Sequence, residues 1–219
     1  MSLPELISKH QAHLLHVTDA YHGVEEKYAL LDPMLFDTNL SQKHNNRGFE
    51  VLRQSLFFAC VVDIVNIVCK KGGNKTPSIE GISSIFCNRE LLKYFHDAIV
   101  NADAFVGFSK TQEKQSHGFW ENVTKTKTKI DCLLHSPKLE AFETIRDKRI
   151  AHLELKKSGD DYELLDISTL GLKWGDIKSM LAEMQSIIIN LNQIMTGATI
   201  ITRDKINQTM RDEFWEQNK

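Results

Sequence analysis

Only four prolines interrupt 219 residues, and Pro4, Pro33, Pro77 and Pro137 each stand beside a helix start. Proline fits the first helical turn because its missing N–H has no partner there. Ser78 and Ser136, beside two of them, are natural capping residues. Between the prolines, apolar residues recur mostly in steps of three and four, as in Phe49, Leu52, Leu56, Ala59 and Val62, with Ile67 five further on. That spacing is the signature of an amphipathic helix.

The pattern predicts helices over about Pro4–Leu31, Ser41–Lys71, Ile79–Phe86, Asn88–Asp103, Thr111–Leu134, Trp174–Met195 and Ile201–Trp215, with one more opened by Ser136-Pro137 and carrying Leu139, Phe142, Ile145, Ile150 and Leu153. Lys70-Lys71-Gly72-Gly73-Asn74 stops the second, with cations in the last turn and then glycines. Phe105–Ser109 reads as a connector. The turn Ser158-Gly159-Asp160-Asp161 is compatible with the tip of a small hairpin between Leu153–Lys156 and Tyr162–Leu165. The expected fold class is all-α: an antiparallel helical bundle with extra helices and that one hairpin, forming a single domain over residues 1–219.

Several function classes fall away. There is no Gly-x-Gly-x-x-Gly, no Gly-Lys-Ser/Thr phosphate loop and no His-Glu-x-x-His. Lys and Arg number 27 against 29 Asp and Glu, a net charge of −2, so a nucleic-acid site has to be a local basic patch. Cys60, Cys69, Cys87 and Cys132 form no Cys-x-x-Cys pair, and the expectation is reduced, buried thiols in a cytoplasmic protein. The longest apolar stretch, Leu56–Val62, ends at Asp63, so no spanning helix and no membrane partner are expected. The N-terminus has no basic start followed by an apolar run, so no signal peptide is expected.

Three clusters invite chemistry. His10, His13, His16 and His22 share the first helix, yet no Cys, Asp or Glu completes a ligand set, and a packed or solvated histidine face is the default. No metal and no cofactor are expected. Lys125-Thr126-Lys127-Thr128-Lys129 is a solvated helix face or a phosphate-contacting edge. The third cluster runs from Arg146 to Lys157, with five Lys/Arg against two acids. It combines cations for phosphate with the side chain that exchanges protons near neutrality. Those are the parts for general acid–base chemistry on a phosphodiester.

Arg146-Asp147-Lys148-Arg149-Ile150-Ala151-His152 resembles the Arg-polar-x-x-x-x-His signature of the HEPN superfamily (higher eukaryotes and prokaryotes nucleotide-binding), in its phage abortive-infection (AbiU-like) branch. The long apolar second helix with its Gly-Gly-Asn turn and Pro77-Ser78-Ile79, and Leu172-Lys173-Trp174-Gly175-Asp176 opening a late helix, resemble the same branch over roughly residues 20–195. A second pair, Arg89…His96, has similar spacing, but bulky Phe95 precedes its His and Glu90 follows its Arg.

The resemblance implies a metal-independent endoribonuclease toxin of a phage-defence system. His152 would be the acid/base, Arg146 would hold the phosphoryl oxygens and Asp147 would orient the pair. Lys148, Arg149, Lys156 and Lys157 are the candidate substrate-binding residues, RNA is the expected partner, and an antitoxin or regulatory protein is a further one. Family members often pair two motifs across a dimer. On a straight helix Arg146 and His152 lie about 9 Å and about 120° apart, which makes a homodimer with its two-fold axis near His152 sensible, and Arg149 a closer in-chain partner. Glu154 stands where a related branch carries a Tyr that is modified, so that mode of control is in doubt. The alternative is a HEPN-like RNA- or nucleotide-binding or protein-interaction module without catalysis. An exposed Arg146–His152 groove beside a positive patch favours the enzyme; a buried His152, or an Arg146 neutralised by an internal carboxylate, favours the module.

Overall fold

The computed structural model describes residues 1–44, 46–69, 76–101, 109–151, 155–158, 161–164, 166–198 and 203–217. Its helices are α1 (Leu3–Phe36), α2 (Thr38–Lys43), α3 (Arg47–Val68), α4 (Ile79–Ser83), α5 (Arg89–Val100), α6 (Ser109–Leu134), α7 (Pro137–Thr144), α8 (Asp176–Thr196) and α9 (Asp204–Gln217). A π-helix, Ile145–Ala151, follows α7, and short 3-10 turns cover Ser84–Cys87 and Ile167–Leu170. One antiparallel hairpin joins β1 (Leu155–Ser158) to β2 (Asp161–Leu164), with Lys156 opposite Glu163 and Lys157 opposite Tyr162. The fold is all-α, as expected, and the hairpin turns within two residues of its expected position.

Helical periodicity explains the cores. In α1, Leu14, Val17, Tyr21, Val24, Tyr28 and Leu31 are buried in alternating steps of three and four. In α6, Phe119, Val123, Thr126, Ile130 and Leu133 do the same along an otherwise polar helix. Each such stripe turns one helix face inward and leaves the charges in water.

The described residues group into two compact units. The first takes Met1–Asp19, Ile67–Leu134 and Glu183–Ile201, and within it α4 and α5 pack on α6. The second takes Ala20–Asn66, His135–Ala182 and Thr202–Lys219, and contains α7, the π-helix and the hairpin.

Four expectations need correction. Pro33 starts no helix: it lies inside the last turn of α1, whose end is closed by Asp37 N–H donating to the Pro33 carbonyl at 2.9 Å. The next helix is started by Asp37, whose carboxylate accepts from the Asn39 and Leu40 N–H groups. The predicted Ser41–Lys71 helix is broken: α2 ends at Lys43, and the Asn46 side chain accepts from Phe49 N–H at 3.0 Å to start α3 afresh. Cys87 and Cys132 are exposed, while Cys60 and Cys69 are buried, and burial pushes the Cys60 thiol up to about 12.

The fourth concerns α3. It is long and apolar enough by composition to cross a membrane, with a mean hydropathy of 1.8 over its best 18 residues, because Asp63 breaks the apolar run without breaking the helix. Cys60, Val61, Ile64, Val65 and Val68 are nonetheless fully buried inside the protein, and Asp63 pairs with Lys27. A core helix of a folded unit passes the same test of composition.

Candidate active site

The Arg146 segment is positioned by α7. Ser136 caps that helix, its hydroxyl accepting from Leu139 N–H at 3.1 Å, and Pro137 occupies the first turn. Leu139, Ala141, Phe142 and Ile145 are then buried against the chain's own core. These apolar residues are therefore already used, and an interface on α7 would have to be polar; the side chains left accessible include exposed Glu140 and Lys148.

From Ile145 the backbone leaves the regular α-helix for a seven-residue π-helix. Its bonds close over five residues instead of four, so each turn is wider, and such turns recur at functional sites. The rise and rotation of a straight α-helix therefore do not hold from Arg146 to Ala151.

Arg146 is only 9% exposed. Its Nε donates to Asp147 Oδ1 at 2.7 Å, and its Nη2 lies 2.6 Å from the same oxygen. A buried guanidinium needs a partner, because its desolvation is costly otherwise. Asp147, with its side chain 45% exposed, supplies one and fixes the plane of the guanidinium. The Arg146 side chain is held against the protein, and a phosphate would share the guanidinium with Asp147; the groove to His152 lies outside the described residues.

Of the other site residues, Lys148 is exposed. Arg149 lies on the π-helix, and Lys156 and Lys157 lie on β1; their side chains fall outside the described part. His152 and Glu154 also lie outside the described residues. The structure thus brings Arg146 and Asp147 together.

The two remaining clusters take their ordinary roles. Lys125 pairs with Glu121 at 2.6 Å, Lys129 donates to Ser186 Oγ at 2.6 Å, and Thr126 points into the core, so the Lys/Thr run is a solvated helix face. His10 and His22 are buried and His16 is exposed. Burial, with His13 and Lys9 nearby, depresses His10 to about 4, so it stays neutral near pH 7. Among the described residues no group of three or more His, Cys, Asp or Glu side chains is arranged to hold a metal ion.

One arrangement escaped the sequence reading altogether. His96, on α5, bonds Asp97 through Nδ1 at 2.9 Å and Ser116, on α6, through Nε2 at 2.8 Å.

Compared with known proteins, residues 5–213 match the family model HEPN_AbiU2, described as AbiU2. No curated protein and no solved structure matches.

Proposed function

The chain belongs to the HEPN AbiU2 family, and from that premise we propose that it is a metal-independent endoribonuclease of an abortive-infection defence, cutting RNA by attack of the substrate's own 2′-hydroxyl. Family membership itself carries the abortive-infection-related role. The finer reading rests on one observation: the Arg146 guanidinium is fixed by Asp147 on a π-helix that ends at Ala151, and His152 is the next residue in the sequence.

In this reading His152 removes the 2′-hydroxyl proton and the oxygen attacks the adjacent phosphorus. Arg146 or Arg149 stabilises the charge that grows on the phosphoryl oxygens. The bond to the 5′-oxygen breaks, and that oxygen takes a proton from His152 of the partner subunit. The 2′-hydroxyl is already tethered beside the phosphorus, so little entropy is lost in reaching it. Products carry a 2′,3′-cyclic phosphate and a 5′-hydroxyl. A divalent ion is disfavoured here because Asp147 is engaged by Arg146 and the surrounding segment is basic. Toxicity in the cell implies a partner protein that restrains it.

The burial of Arg146 and its pairing with a carboxylate favour a second reading, an RNA- or protein-binding module without catalysis. Incubating purified protein with total RNA in EDTA separates the two. The enzyme leaves cyclic-phosphate ends that His152→Ala does not, and spares a substrate with a 2′-deoxy sugar at the cut. Intact RNA with the wild type, with or without EDTA, sinks the enzymatic reading, and cleavage that disappears only in EDTA sinks its metal independence.

A further inference from the structure

We propose that Ser116 is an activated nucleophile, assembled with His96 and Asp97 into a Ser–His–Asp relay that accepts an acyl group from a carboxylic ester. The inference is independent of the ribonuclease reading.

An ionised Asp97 carboxylate can only accept, so the 2.9 Å contact to Oδ1 requires the proton on His96 Nδ1. In the neutral ring, the form that acts as a base, Nε2 carries the lone pair and the 2.8 Å contact runs from the Ser116 hydroxyl to that nitrogen; in the charged ring Nε2 donates to Ser116 Oγ instead. Nucleophile bonded to base, and base bonded to a group that fixes its tautomer, is the arrangement that activates a serine. It is recognised by geometry and not by order in the chain.

Packing holds the base in place. The His96 ring stacks on Trp120 at 5.5 Å and meets the edge of Phe119 at 5.3 Å. Asn88 caps α5, Phe95 is buried beside His96, and Phe119 is buried three residues after Ser116, so both partners sit on anchored helix faces. Trp120, stacked on the His96 ring, is 41% exposed and offers an aromatic surface beside the base. That surface suits an ester with an aryl or other apolar group.

The step balances without a further reagent. Ser116 Oγ bonds to the carbonyl carbon while its proton passes to His96 Nε2. The carbon–oxygen bond to the leaving group breaks, and the leaving alcohol takes the proton from Nε2. Water then attacks the acyl carbon, gives a proton to Nε2, releases the carboxylic acid and returns the proton to Ser116 Oγ. Ser116 lies inside α6, where backbone N–H groups bond within the helix, so the helix itself turns no pair of backbone donors toward an oxyanion. A missing oxyanion donor costs about 10²–10³ in rate. A slow, near-stoichiometric acylation is therefore expected, with deacylation slower still.

The full-length protein, treated with 4-nitrophenyl acetate, tests this. Peptide mass spectrometry should place an acetyl group on Ser116 far faster than on Ser55, an exposed helical serine whose hydroxyl bonds the Val51 carbonyl. His96→Gln should slow acetylation at Ser116 by about 10²-fold or more. Asp97 is a positioning residue: imidazole ¹⁵N shifts should show the Nδ1-protonated tautomer in the wild type, its loss in Asp97→Asn and its return in Asp97→Glu. The wild-type comparison decides the matter whether or not a variant folds. Acetylation of Ser116 no faster than Ser55 overturns the relay, and an unchanged tautomer in Asp97→Asn overturns the role of Asp97.

Discussion

The protein carries two Arg/His pairs at nearly the same spacing, and they are built in opposite ways. Arg89 and His96 lie on the regular α-helix α5, two turns apart and almost on one face. Arg89 is exposed there, while His96 is fixed on both ring nitrogens by Asp97 and Ser116. Arg146 sits on a π-helix, buried, with its guanidinium held by Asp147. In the first pair the histidine is locked and the arginine is at large; in the second the arginine is the locked partner. Spacing sets only an angle and a rise. What each group is bonded to decides the chemistry open to it.

The largest test of that contrast is a crossed substitution. His152→Ala should lower RNA cleavage by about 10²–10⁴-fold, the usual range for losing a general acid–base group. His96→Gln should leave RNA cleavage within about two-fold, since its relay is directed at Ser116. Gel assays on both variants, with melting curves to confirm folding, settle the assignment. Equal losses in the two would merge the pairs into one function and break the comparison.

A smaller effect is expected at the arginines. Arg146→Lys should lose about 10- to 100-fold in RNA cleavage, because lysine offers a point charge and cannot keep both the contact to Asp147 Oδ1 and a planar grip on phosphate. Arg89→Lys should be silent. Full activity in Arg146→Lys would remove the phosphate role and favour a guanidinium that serves packing alone.

The same two segments show where sequence stopped being informative. Helix starts were legible at three caps: Ser78 accepts from Gly81 N–H, Asn88 from Leu91 N–H and Ser136 from Leu139 N–H, whereas the same device at Asp37 and Asn46 was not. Pro33 misled because proline near the end of a helix removes one donor without ending it. The π-helix was illegible because Ile145, Ile150 and their neighbours keep an apolar rhythm that suits either winding. Arg146 and Asp147 are adjacent in sequence, so their pairing needed no tertiary contact and was foreseeable, whereas the burial of Arg146 depends on the packing of α7. The bond from Ser116 to His96 joins residues twenty apart through the packing of α5 on α6, and no local pattern announces it.

The caps offer a matched pair of intermediate size. Ser136→Ala and Asn88→Ala each remove a side-chain acceptor at a helix start, and each should cost about 1 kcal/mol by urea unfolding. Their effects on function should differ. Ser136 starts the helix that delivers Arg146, so its loss should also lower RNA cleavage, while Asn88→Ala should slow acetylation of Ser116 and spare RNA. Matching functional losses in both variants would show that stability alone, and not position, links these caps to activity.

The smallest effect concerns the anchor of the Arg146 segment. Asp176, at the start of α8, accepts from Lys173 N–H at 2.7 Å and lies 3.2 Å from Lys138 Nζ on α7, and the same Nζ donates to Ser179 Oγ at 2.8 Å. Burial alone would raise the Asp176 carboxyl, but the bonds from Lys173 and Lys138 outweigh it and hold the group below its ordinary value. A carboxyl depressed in the folded state contributes stability that is fully present above the unfolded-state value, near 3.9, and is lost as pH falls through the lower folded value. Lys138 is 41% exposed, so solvent and salt screen the pair and the contribution should be about 0.5 kcal/mol. Urea midpoints at pH 7 and pH 3 should therefore fall less in Asp176→Asn than in the wild type, and 1 M salt should shrink the difference. Wild type and Asp176→Asn losing the same stability between the two pH values would show that α7 is held by its buried Leu139, Phe142 and Ile145 alone.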